Sequence, residues 1–297
     1  METKAKAFSE LNLIDNFLFT TLLDHEKYGP VAAKNILEII LGREVNIRKV
    51  HAEKVILPSI PSLHGIRMDA VIEEEQTDVS PGEVFDIEPD NKKKDKALLP
   101  YRARYYHSRL DGKLLESGAR YNSLPGTWVI FITSFDPFGK DHMVYTIKNH
   151  CVELPEMKYE DGATTLFLYI NGTKGNPPLE LRELLHYIAD TTSANAKNHK
   201  LAEVQSFIDS LKTDPNVKEA YMTWDEYIQY EREEAAEDAN KRADAEKQRA
   251  DTEKRRADTE KQRADTEKQR ADENEQIVLD LKEEIKHLCE TIKTLEG

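Results

Sequence analysis

The chain has 297 residues, with 42 Lys and Arg against 56 Asp and Glu, a net charge of −14 and an isoelectric point near 5.2. That acidity excludes a uniformly basic nucleic-acid binder and leaves room only for a local basic patch. Two cysteines far apart in sequence, Cys151 and Cys289, exclude a disulfide framework or a thiolate metal site, and with neither an apolar signal core nor an apolar run near the ~18 residues of a membrane helix, a soluble cytoplasmic protein is expected.

Residues from Leu11 to Leu41 predict one or two helices, because Ala32, Ala33, Ile36, Leu37 and Ile40 recur at helical spacing and Gly42 supplies a stop. Val45 to Leu57 reads as extended, with Pro58, Pro61 and Gly65 marking a turn after it. Ile66 to Glu73 alternates, placing Ile66, Met68, Ala70 and Ile72 on one face and Arg67, Asp69 and Val71 on the other. After a loop rich in acids, Ser, Pro and Gly, Glu83 to Asp90 predicts a strand with Phe85 and Ile87 on one face and Asp86, Glu88 and Asp90 on the other. A helix from about Lys96 to Ser117 carries Leu99, Ala103, Tyr106, Leu110 and Leu114 as its buried stripe. Its Arg102, Arg109 and Lys113 share a different face, and Gly118 ends it. The apolar run WVIFIT, Trp128 to Thr133, predicts a fully buried strand. Asp136 to Gly139 is a turn, Val144 to Ile147 a returning strand and Thr165 to Ile170 another. Helices follow at about Leu179–Ala189, His199–Leu211 and Val217 onward, so the whole reads as a mixed α/β sheet flanked by helices.

From Arg242 the chain repeats RADTEKQ-like units at a seven-residue period, free of Gly and Pro up to the terminal Gly297. Alanines at 243, 250, 257, 264 and 271 share one heptad position, continued by Val278, Ile285 and Ile292. Leu281, Leu288 and Leu295 fill the companion position. β-branched residues at the first position with Leu at the second favour a parallel two-stranded coiled coil, hence a homodimer. Within the repeat the second position is Glu246, Glu253, Glu260 and Glu267. That stretch leans on pairs such as Arg249 with Glu253, each worth only ~0.2–0.5 kcal/mol. It reads as a spacer, and a continuous helix from Trp224 to Glu296 would be roughly 110 Å long.

The hairpin around 74–82 would bring Asp69 close to Glu88. Two neighbouring carboxylates repel, and burial makes their ionisation costlier. A hard divalent cation, Mg²⁺ or Mn²⁺, answers both problems and is held by one or two carboxylates plus waters and substrate phosphate. Such an ion can activate water for phosphodiester hydrolysis. Asp90 shares the face of Glu88. The adjoining cations Lys93, Lys94, Arg102, Arg104 and Arg109 are the main local excess of positive charge and are the candidates to contact DNA phosphates. The bland reading makes the acids solvated or ion-paired strand residues and the basic run a solvated helix start. His64, His107, His142 and His150 lack metal-ligand spacing, and no phosphate-binding Gly-rich loop or nucleophile motif occurs.

The stretches GIRMDAVIEE at 65–74, VFDIEPDNKKK at 84–94, YRARYYHSRLDGKLLESGARYNSL at 101–124, WVIFITSFDPFGKDHMVYTIKN at 128–149 and DGATTLFLYINGTKG at 161–175, with LNLIDNFLFTTLL at 11–23, resemble the PD-(D/E)XK nuclease-family transposases, or Rpn family of recombination-promoting nucleases. The resemblance implies a restriction-endonuclease-like fold for the domain at 1–215; the helical connector at 216–241 and the heptad-repeat coiled-coil tail at 242–297, read from the residues, lie outside it. It also implies Mg²⁺-dependent DNA cleavage, with Asp69 and Glu88 as the matching acids. The chain departs from the pattern at Asp90, which stands where Gln or Lys is expected, and at Pro89 before it. A Lys there would help orient or deprotonate the attacking water, whereas Asp90 has the charge to share the metal instead. Two functions follow: a metal-dependent DNA endonuclease, or a catalytically impaired member that acts as a DNA- or protein-binding dimer.

Overall fold

The computed structural model describes residues 6–56, 66–76, 82–115 and 117–295. The predicted turn at Pro58, Pro61 and Gly65 lies outside them. Two compact units divide the chain, Met1–Trp224 and Asp225–Gly297.

The first unit opens with two helices, α1 (Asn16–Asp24) and α2 (Gly29–Leu41). Gly42 ends α2 in the left-handed conformation, φ 67°, and returns its N–H to Glu38, a geometry that glycine adopts without strain. Strands β1 (Ile47–Ile56), β2 (Ile66–Glu74) and β3 (Glu83–Asp90) then form an antiparallel meander. Helix α3 (Leu99–Leu114), preceded by a 3-10 turn Lys93–Leu98, crosses over to β4 (Gly126–Thr133), which pairs parallel to β3. Strand β6 (Ala163–Tyr169) lies parallel to β4, and β5 (Val144–Ile147) closes the edge antiparallel to β6. The mixed sheet therefore runs β1-β2-β3-β4-β6-β5. Helices α4 (Leu179–Ala189) and α5 (His199–Thr213) follow, and then α6 (Pro215–Leu295).

Each face of the sheet has its own core. Ala70, Ile72, Phe85, Ile87, Ile130 and Leu168 pack with the apolar stripes of α1, α2, α4 and α5. On the opposite face Val71, Val84, Val129, Phe131 and Phe167 pack under Leu99, Ala103, Tyr106 and Leu110 of α3. β3 and β4 are covered on both sides; β4 reads as a continuous apolar run, whereas β3 is interrupted by acids. Met68 departs from the expected alternation. It joins the α3 side rather than Ala70 and Ile72, at the point where β2 has already parted from β3.

The start of α6 belongs to the first unit. Tyr221 packs on Phe8 and Phe17, with ring centroids 5.5 and 5.0 Å away, and its hydroxyl donates to the Lys6 carbonyl at 2.8 Å. The second unit is the remainder of the helix. Thr252, Thr259 and Thr266 each return a hydroxyl to the carbonyl four residues back. Ile277, Val278, Leu279, Leu281 and Ile285 are all exposed, while the side chains of Leu288, Ile292 and Leu295 lie outside the described residues. Among the described residues, no helix is long and apolar enough to cross a membrane.

Candidate active site

The β2–β3 ladder runs from Glu73↔Val84 to Ala70↔Ile87 and stops there. Where it stops, the Asp69 N–H finds the Glu88 side chain instead of a backbone carbonyl, donating to Oε1 at 2.8 Å. The two acids predicted as neighbours are thus brought together, through the backbone of one and the carboxylate of the other. Asp69 itself is half-buried, whereas Glu88 is 2% exposed.

Pro89 sits in a central strand, a position where a missing N–H usually costs a ladder bond. The Ser134 N–H donates to the Asp90 carbonyl, so the backbone polar groups of Asp90 face β4. Those of Pro89, one residue back, face β2. The ladder to β2 has already ended at Ile87, so the imino acid forfeits nothing.

The face of β3 that carries Glu88 also carries Asp86 and Asp90, as the period-2 pattern requires. Asp86 lies between Val71 on β2 and Val129 on β4, fully buried. Neither of its carboxylate oxygens accepts an ordinary hydrogen bond, and the neighbour able to share a proton with it is Glu88. Burial, then the negative charge of Asp69, holds the Asp86 pKa well above the carboxylate range. Glu88 is raised in the same direction, first by burial and then by Asp86 and Asp69. Sequence reasoning placed Asp86 on this face without naming it as a site residue. The signal was present in its parity with Glu88, but its burial depends on β4 and α3 arriving from elsewhere in the chain.

One cation is built into the cluster. Arg102 of α3 donates through Nη2 to Glu88 Oε2 at 3.1 Å and through Nη1 to Asp90 Oδ2. Its guanidinium lies 5.2 Å from the Phe131 ring centre and 5.7 Å from that of Tyr106. Asp90 is completed by the Lys92 N–H on Oδ1 at 2.8 Å. Arg102, predicted as a phosphate contact, is therefore turned toward the carboxylates. The other predicted phosphate contacts are not gathered at the acids. Lys93 and Lys94 are exposed on the 3-10 turn, Arg104 is exposed on α3 over Tyr101, and Arg109 is half-buried further along that helix.

The donor set can be weighed against Mg²⁺ or Mn²⁺. Among the described residues no group of three or more His, Cys, Asp or Glu stands in ligand geometry. Mg²⁺ needs only one or two carboxylates beside its waters. Asp69 and Glu88 are hard oxygen donors backed by the hydrogen-bond-poor Asp86, and burial, then the neighbouring carboxylates, raises the pKa values of Asp86 and Glu88. The chemistry of the donors fits a hard divalent cation.

His107, on α3, has no part in this cluster. Its ring nitrogens lie 3.0 Å from the hydroxyls of Thr127 and Thr165, and burial lowers its pKa despite the nearby charge of Asp161. In the turn after β4, hydrogen bonds from Asp141, Tyr145 and Phe138 outweigh burial and hold Asp136 at about 2. This turn is a structural clasp beside β5.

No protein-family model, curated protein or solved structure matches this chain.

Proposed function

We propose that this chain is a metal-dependent DNA endonuclease with a restriction-endonuclease-like fold, of the recombination-promoting type. The observation that carries the reading is the gathering of Asp69, Asp86 and Glu88 where β2 and β3 part, with Asp86 buried and offered no ordinary donor. Asp69 and Glu88 would hold Mg²⁺ or Mn²⁺, with Asp90 beside them. When bound, the ion supplies a Lewis acid and a water of lowered pKa. The chain's own residues do the rest. Asp86 places a buried carboxyl behind the ligands, Arg102 fixes the orientation of Glu88 and Asp90, and Lys93, Lys94 and Arg104 draw in the phosphate backbone. Val278, Leu281 and Ile285, exposed on the single helix, would be covered in a parallel coiled coil with a second copy. Two copies bring two sites, one for each strand of a duplex.

A second reading, a catalytically impaired member that binds DNA or protein as a dimer, is favoured by one observation. Arg102 already supplies Glu88 and Asp90 with a positive partner, at the position where the resembling family has Gln or Lys rather than Asp90.

Plasmid nicking with Mg²⁺ and with EDTA separates the two. The first reading expects nicking by the wild type that EDTA stops and that Asp69→Ala or Glu88→Ala reduces at least about 100-fold. Nicking that ignores metal or both substitutions sinks it, and DNA binding without cutting selects the second reading. Light scattering tests the dimer, which deletion of residues 277–297 should convert to monomer; an unchanged mass would exclude the coiled coil.

A further inference from the structure

One face of α3 is used neither by the core nor by the carboxylates. Leu98, Tyr101 and Arg104 follow one another at a spacing of three and so share a side of the helix start. They are turned away from the buried stripe of Leu99, Ala103 and Tyr106. Leu98 is 54% and Tyr101 64% exposed, and the Arg104 guanidinium stands 5.8 Å from the centre of the Tyr101 ring. The preceding turn exposes Lys93 and Lys94, with the half-buried Asp95 as the nearest acid in sequence. An apolar, aromatic surface has therefore been kept in water beside Arg104 and just after two exposed lysines in sequence, in a chain whose net charge is −14. Tyr101 is also the immediate neighbour of Arg102, the residue that grips Glu88 and Asp90.

That combination fits one chemistry. A ligand here must offer a flat apolar face and a negative charge close together. Paired DNA hides its base faces in the stack, whereas an unpaired nucleotide shows both a base face and a phosphate. We infer that Tyr101, with Leu98 and Arg104, forms a stacking platform for unpaired bases of DNA, and that Lys93 and Lys94 hold the adjoining phosphates. The inference rests on the proposed DNA-cleaving function and specifies its substrate: single-stranded DNA, or duplex with unpaired nucleotides, in preference to perfect duplex.

The test uses the full chain carrying Asp69→Ala, in EDTA, so that binding is read without cutting. Fluorescence anisotropy compares a single-stranded oligonucleotide with its duplex. The platform predicts tighter binding of the single strand, a roughly tenfold loss of that binding in Tyr101→Ala, and retention in Tyr101→Phe. Duplex binding should be unchanged by either. Lys93→Glu with Lys94→Glu should weaken both forms and flatten the salt dependence. Equal losses for both forms in Tyr101→Ala, or no loss for either, overturn the platform and leave the nuclease reading standing. An acidic peptide bound as tightly as the oligonucleotide also overturns it. Failure to bind DNA in any form removes the platform and the DNA-cleaving reading together.

Discussion

At the loop end of the β2–β3 pair, Glu73, Glu74 and Glu83 meet cations at the surface. Arg48 takes Glu73, and Arg43 takes both Glu74 and Glu83. Glu83 also accepts from the Trp128 indole N–H at 3.0 Å. At the far end the acids are Asp69, Asp86, Glu88 and Asp90, of which the last three are buried. There Arg102 is shared by Glu88 and Asp90, and Asp86 accepts no ordinary hydrogen bond. The two ends are alike in residue type, yet only one is arranged as a stability-minded sheet would arrange it. Surface acids that meet arginines serve the fold. Asp86 and Glu88, whose pKa values are raised first by burial and then by neighbouring carboxylates, oppose it.

Substitutions at matched positions sharpen the contrast. The largest effect is expected at Arg102, with Arg43 as its matched surface counterpart. Arg102→Ala leaves Glu88 and Asp90 buried without their guanidinium and should cost about 2–3 kcal/mol by urea unfolding, allowing for the partial exposure of Arg102. Arg43→Ala removes surface pairs and should cost about 1 kcal/mol or less. Added Mg²⁺ should restore stability to the Arg102 variant and not to the Arg43 variant. Equal losses, or no recovery, would break the distinction between the two ends.

An opposite sign is expected when acids are replaced by valine. Asp86→Val places an apolar side chain between Val71 and Val129 and removes a buried carboxyl, so stability should rise by about 1 kcal/mol. Glu83→Val loses Arg43 and the Trp128 N–H and should fall by about 1 kcal/mol. A loss in Asp86→Val would mean that Asp86 is satisfied by a partner in the folded state.

The smallest effect concerns His107, a buried titratable group away from both ends. Its pKa is lower in the folded protein than its ordinary value of about 6.5. Between those two values the unfolded chain binds more protons, so stability rises with pH. The contribution is present above about pH 6.5 and is lost as pH falls toward the folded-state value. Unfolding midpoints measured from pH 7.5 down to 5 should decline in the wild type and decline less in His107→Gln. The same slope in both would place the pH dependence elsewhere.

Much of this architecture was legible in the sequence. Period-2 alternation placed β2 and β3, and the apolar run at Trp128–Thr133 placed β4. Helical spacing placed α3 and α4, and Gly42 marked a helix end it does form. The juxtaposition of Asp69 and Glu88 followed from the hairpin. What escaped depends on residues distant in sequence. Asp86 looks like any outward strand acid until β4 flanks it and α3 covers it. Arg102 looks like a surface cation until the crossover from β3 to β4 lays α3 over the carboxylates. Pro89 looks like a strand breaker until the ladder to β2 is seen to end at Ile87. Met68 changed sides beyond the last β2–β3 pair, although it still pairs with Lys54 of β1.

Calorimetric titration of the full chain with Mn²⁺, a surrogate for Mg²⁺ of the same charge and ligand preference, tests the central claim most directly. The account predicts a saturable site in the wild type that disappears in Asp69→Ala and in Glu88→Ala. It also predicts that the site persists in Glu74→Ala, at the loop end of the same strands. No saturable binding to the wild type, or binding that both Asp69→Ala and Glu88→Ala leave intact, would contradict it.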